Sequence, residues 1–174
     1  MKRMRGFSLL ELLVVMSILA IVAAAATPTL RAALANARIK TLGESWRNGL
    51  DLARSSAIRL NTRVEFVITP GGWQVNRVDS SNDILHQATG REGNEHVTLT
   101  VTPQGADRLT FDAFGRALAE NPNSDSEPLQ RLDVTVPNTT GLSGLRPMRI
   151  QLIGAGVARL CDPAKDSGGV GACT

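Results

Sequence analysis

At 174 residues the chain has room for one ordinary domain and an appended segment. Aromatic residues are scarce, with two Trp, four Phe and no Tyr. The net charge of +3 resides in Lys2, Arg3 and Arg5 and the remainder balances, so the high isoelectric point is no argument for a nucleic-acid binder, and no large field of one sign exists.

The first predicted element follows from MKRMRGFSLLELLVVMSILAIVAAAATP. Residues 7–26 form an apolar run whose one strongly polar member is Glu11. As a helix the run is about 30 Å long, enough to cross the hydrocarbon core of a bilayer. Its Phe, Leu, Ile and Val residues contribute about −3 to −7 kcal/mol to insertion, against about +3 for an acidic residue at the centre. Glu11 lies near one end, where its cost is smaller. The basic leader places the N-terminus in the cytoplasm, with everything after Pro28 outside.

A carboxylate in such a run calls for a partner. A cut between Gly6 and Phe7 creates an α-amine four residues before Glu11, one helical turn away. Within one chain or between staggered neighbours, ammonium and carboxylate can then meet in lipid, where leaving either alone is costly. Two other readings stay open: a secretory signal cleaved after the small residues near Ala26, giving an ordinary secreted protein, and a plain membrane anchor. Neither gives Glu11 a purpose.

The stretch GFSLLELLVVMSILAIVAAAATP, preceded by its basic leader, resembles the class III prepilin signature of type IV pilins and type II secretion pseudopilins. The resemblance covers about the first 28 residues. It implies that a prepilin peptidase cuts after Gly6, that the new N-terminal Phe7 is methylated, and that Glu11 guides assembly into a helical fibre. It further implies an inner-membrane protein with a single pass and a periplasmic head, later part of a periplasmic or surface fibre. The implied partners are other pilins, the peptidase, an assembly platform and, before assembly, lipid.

Beyond Pro28, which is expected to break or kink the helix, the pattern resumes. Leu30, Leu34, Ala37, Leu42, Trp46, Leu50, Ala53, Ala57 and Leu60 make one apolar stripe, and Glu44, Arg47, Asp51 and Arg54 make a ladder of opposite charges on the other face. The helix is therefore predicted over about 7–60, with Trp46 as a core anchor. The expected organisation is a leader (1–6), an assembly helix (7–28), an amphipathic half (29–60) and a head (61–174).

After Asn61 the period becomes two. TRVEFVITPGGWQVNRVD reads as a hairpin turning at Pro70-Gly71-Gly72. Strand-like runs follow at HVTLTVT, DRLTFDAFGRAL, LQRLDVTV and RPMRIQLIGAGVARLC, separated by loops such as ENPNSDSEP and PNTTGLSGL. A long helix laid on antiparallel sheet is an α+β architecture. This order of parts, with LTFDAFGRA and a late VARLC, is similar to the GspH/FimT branch of the pilin-like proteins, which includes FimU-type minor pilins and H-type pseudopilins. That branch implies a head of two antiparallel sheets on the helix, in a minor subunit near the fibre tip.

Cys161 and Cys173 flank the Gly-rich tail CDPAKDSGGVGAC and read as a disulfide in an exported chain. The alternative, a zinc site with His86 and His96, lacks the usual ligand spacing. No catalytic residues, metal site or cofactor are expected: GLSGL around Ser143 lacks nucleophile-elbow spacing, SGGVGAC lacks the Lys-Ser/Thr of a phosphate loop, and Asp125 and Glu127 read as solvated turn residues. His86 and His96 read as surface residues flanking a polar loop. A DNA-binding reading is not favoured but stays in view. FimT-like relatives carry a C-terminal G-R-x-R motif, and the matching stretch here is Gly156-Val157-Ala158-Arg159, so the first arginine is absent. Arg146, Arg149 and Arg159 are the candidate contacts, with Lys165 nearby.

Overall fold

The computed structural model describes residues 8–89, 97–122, 124–137 and 141–173, with residues 80–82 as backbone only. Helix α1 runs from Leu9 to Leu60, about 78 Å at 1.5 Å per residue. Ser8 caps it, its hydroxyl accepting from the Glu11 amide at 3.2 Å. Ser8 and Glu11 thus stand at the two ends of a capping-box spacing, and the carboxylate lies in the first turn, where the helix dipole favours it. At the far end Asn61 takes the left-handed conformation, and the Thr62 amide donates back to the Ala57 carbonyl. This closes the helix as a Schellman turn does.

Pro28 does not break the helix, which is continuous through it. The expected interruption is corrected. Proline removes one donor, the partner of the Ala24 carbonyl, and the ladder continues on both sides of it; Thr27 and Thr29 add hydroxyl bonds to the carbonyls of Ala23 and Ala26, at 2.9 and 2.8 Å.

The head is two antiparallel four-stranded sheets. The first has the order β3-β2-β1-β5, from β1 (Val64–Thr69), β2 (Gly72–Arg77), β3 (Ser80–Thr89) and β5 (Arg108–Phe111). The second has the order β4-β6-β7-β8, from β4 (Thr98–Thr102), β6 (Arg131–Thr135), β7 (Met148–Ile153) and β8 (Val157–Cys161). The β1–β2 hairpin turns where expected, with Thr69 paired to Gly72. The run RPMRIQLIGAGVARLC is not one strand but a second hairpin, β7–β8, closed by Gly154, Ala155 and Gly156. In DRLTFDAFGRAL only Arg108–Phe111 is strand. Asp112 ends it, its carboxylate accepting from the amides of Phe114 and Arg116 at 2.9 Å each.

The inner faces of both sheets bury α1 between Ile39 and Ala57. Two glycines set the approach. A Cβ at Gly43 would stand 3.2 Å from Leu160 of the second sheet, and one at Gly49 only 2.7 Å from the rings of Phe66 and Trp73 of the first. Hydrogen on Gly49 lets those rings lie against the helix backbone. There they join Trp46, which meets Phe66 edge-on at 6.0 Å, while the Trp73 indole donates to Ser45 at 3.2 Å. The aromatic anchor expected of Trp46 is a cluster of three.

The stretch 112–130 stitches the sheets together. Leu118 and Leu129 donate to Thr110 and Arg108 of β5, Gln130 to Thr102 of β4, and Ala117 to Ala155 of the β7–β8 turn. Asn121, in the expected polar loop, is buried. It accepts from Thr110 and donates to the Ser126 carbonyl at 2.8 Å, so this part of the loop is packed structure. Beside it Arg108 bridges Asp107 and Glu65, and its two hydrogen bonds to Asp107, both 3.1 Å, hold that carboxyl below the usual carboxylate range.

Candidate functional site

The helix is divided by burial. Every residue from 8 to 31 is exposed, including twelve large apolar side chains from Leu9 to Leu30. From Ile39 onward one face is buried in the head. The apolar stripe read from sequence therefore begins too early: Leu30 is 61% and Leu34 is 52% exposed, and Ile39, not Ala37, starts the core. Stripe periodicity identifies a helix face but not where its partner begins.

Glu11 stands alone as an acid in this half. No Asp or Glu occurs between it and Glu44. Gly6 and Phe7, the expected processing residues, lie outside the described residues, as does His96.

The charge ladder is partly as expected. Lys40 lies 3.8 Å from Glu44 and Arg47 lies 3.5 Å from Asp51, both exposed pairs of small energetic weight. Arg54 is a correction: it leaves the ladder and donates to the Gly115 carbonyl at 2.8 Å, tying α1 to the turn after β5. A second tether, with no local sequence signal, is Asn36. Its amide donates to the Gly144 carbonyl at 3.0 Å and its oxygen accepts from the Arg146 amide at 2.8 Å.

The three arginines considered for DNA do not converge. Arg149 and Arg159 lie on the outer face of the second sheet, opposite Asp133 and Gln151 respectively, and Arg131 shares that face. Asp133 holds both Arg149, at 2.6 Å, and Arg131, at 3.1 Å. Arg146 opens instead onto a groove beside α1 with Lys40, Lys165 and Asp162. Lys165 donates to the Val170 carbonyl at 2.8 Å within the tail.

Cys161 and Cys173 are bonded, with Sγ–Sγ 2.01 Å. The pair closes the tail back onto β8, where Asp162 donates to Gly171. Both cysteines are thus withdrawn from the alternative zinc site. His86 belongs to β3 opposite Val75 and is half-buried, where a loop boundary was expected.

A helix bare along its first half and sheathed by two antiparallel sheets along its second is the architecture of pilin-like fibre subunits. Residues 1–27 match the family described as "Prokaryotic N-terminal methylation motif", and residues 43–156 match "Type II transport protein GspH". The chain belongs to the GspH family. Two solved structures share its fold. The type IV minor pilin FimU of Pseudomonas aeruginosa is 15% identical, with a TM-score of 0.54 over 75% of this chain and 92% of that one. The minor pseudopilin EpsH of the Vibrio cholerae type 2 secretion system is 16% identical, with a TM-score of 0.52 over 74% of this chain and 99% of that one. The search of curated proteins gave no significant match.

Proposed function

We propose that this protein is a minor pilin or pseudopilin, a non-enzymatic subunit of a type IV pilus or a type II secretion pseudopilus. It enters the inner membrane through α1, with its head in the periplasm. Prepilin peptidase cuts between Gly6 and Phe7 and methylates the new amine. An assembly platform then moves the subunit from lipid into the fibre, near its tip.

The observation that carries this reading is the apolar half of α1, exposed all round from Leu9 to Leu30, while from Ile39 onward one face of the same helix is buried in the head. Such a surface needs lipid first and neighbouring helices later. Glu11 sets the register between the two states. In lipid its charge is costly until an ammonium of its own or an adjacent subunit meets it. Fibre preparations from cells carrying Glu11→Ala are the test. The variant is expected to accumulate in the membrane and be missing from fibres, and normal incorporation would overturn the role given to Glu11.

A second reading, a DNA-binding minor pilin, has one observation in its favour: Arg131, Arg149 and Arg159 share an outer sheet face with Asp133. It predicts salt-sensitive DNA retention, lost when Arg149 and Arg159 are replaced together with Arg131.

A further inference from the structure

A groove of about 430 Å³ opens between α1 and the second sheet, lined by Leu34, Ala35, Val97, Val136 and Leu142, with Arg31 and Arg38 among its walls. Both arginines are exposed, and neither has an ion-pair partner among the described residues. Seven residues apart, they stand two turns from each other on one face of the helix. The local sequence holds no acid to neutralise them, since none occurs between Glu11 and Glu44.

Their height is set by the helix. A hydrocarbon layer of about 30 Å counted from Leu9 ends near Pro28. Arg31 then lies in the headgroup layer, which adds about 5–7 Å on each side. Arg38 stands about 10 Å higher along the axis, but helical side chains lean back toward the N-terminus, so its guanidinium reaches toward the same layer. That distance is close to the screening length of about 8 Å in physiological salt. The groove floor is apolar and runs straight into the exposed Leu30 and Leu34 surface of the membrane helix. Two cations above an apolar slot, opening onto a bilayer surface, match the chemistry of a phospholipid with a net negative headgroup.

We propose that this groove seats an anionic phospholipid of the leaflet through which α1 leaves the bilayer, Arg31 contacting the phosphate, Arg38 attracting it from about one screening length away, and the apolar floor receiving the upper part of an acyl chain. The seat holds the head upright on the membrane before the subunit is extracted. It rests on the membrane-anchored reading of α1.

The test uses the full chain in bilayer nanodiscs. Lys2, Arg3 and Arg5 are changed to Gln so that the opposite leaflet does not contribute. Spin-labelled phosphatidylglycerol and phosphatidylcholine are compared as probes of the lipid held by the protein. Phosphatidylglycerol is expected to be preferred by about five-fold for each guanidinium that reaches the headgroups. The preference should shrink in high salt, fall to parity in Arg31→Gln/Arg38→Gln, and persist in Arg59→Gln, which lies in the last turn of α1. Parity in the parent, or an undiminished preference in the double variant, overturns the proposal. So does parity accompanied by chain–chain association that the double variant abolishes, which assigns the groove to a second subunit. Failure of the chain to enter nanodiscs is a separate result and defeats the membrane-anchored reading itself.

Discussion

Gly49→Ala isolates the contact on which the head is mounted. Helix propensity alone favours alanine by about 0.8–1.0 kcal/mol. The added methyl, however, would lie 2.7 Å from Phe66 and 2.7 Å from Trp73, well inside contact distance. Neither ring has space to retreat: Phe66 is fully buried, Trp73 is 6% exposed, and the indole is held by Ser45. Overpacking of this kind costs about 1–3 kcal/mol. With β1 and β2 both needing to move, the upper part of that range applies, leaving a net loss of about 1–2 kcal/mol. For a chain of this size that lowers Tm by about 2–8 °C. Trp46 and Trp73 are the chain's two tryptophans and both sit in the cluster, so intrinsic fluorescence during thermal unfolding in detergent reads the effect directly. A Gly49→Ala chain as stable as the parent, or more so, would refute the claim that close ring-to-backbone approach fixes the head on the helix.

Other outcomes follow from the same structure. Asn36→Ala removes both tethers to the 141–146 segment; at about 0.5–1.5 kcal/mol per bond, the Arg146 amide should exchange with deuterium roughly tenfold faster while β1 and β2 amides stay unchanged. Cys161→Ser/Cys173→Ser should loosen the tail beyond β8, with a loss of at most about 3 kcal/mol on the loop-entropy model, read as faster proteolysis between residues 162 and 173. Asp107, its pKa depressed chiefly by Arg108, contributes stability that is present above about pH 4 and lost as pH falls further through its folded value. Asp107→Asn should flatten the acid limb of a stability–pH curve, modestly because the carboxylate is half exposed.

The N-terminal half of this protein was legible because composition and period both speak there: a long apolar run, then a stripe ending in an αL asparagine at the expected place. The β1–β2 hairpin was equally legible, through alternation broken by Pro70-Gly71. Strand β3 was not. SSNDILHQAT is polar and turn-rich, and it becomes a strand because β2 offers a hydrogen-bonding edge, with the register shifting between Val75 and Arg77. Gly43 and Gly49 look like ordinary weak points in a helix until the sheets that need them are in place. Arg54 and Asn36 find partners 61 and 108 residues away, which no local pattern announces. For the candidate site, Glu11 stood out as the lone acid in an apolar run. Among the C-terminal arginines only Arg159 falls in the motif-like stretch, with Arg146 and Arg149 as nearby cations, and the fold divides the three between two surfaces.

The central claim is that α1 is a processed assembly helix, its charge at Glu11 answered by an amine freed one turn earlier. Mass spectrometry of the N-terminal peptide from assembled fibres tests this most directly. The account predicts a chain that begins at N-methylated Phe7 with Glu11 intact. Fibres whose subunits still carry Gly6 joined to Phe7, or begin near Ala26, would contradict it.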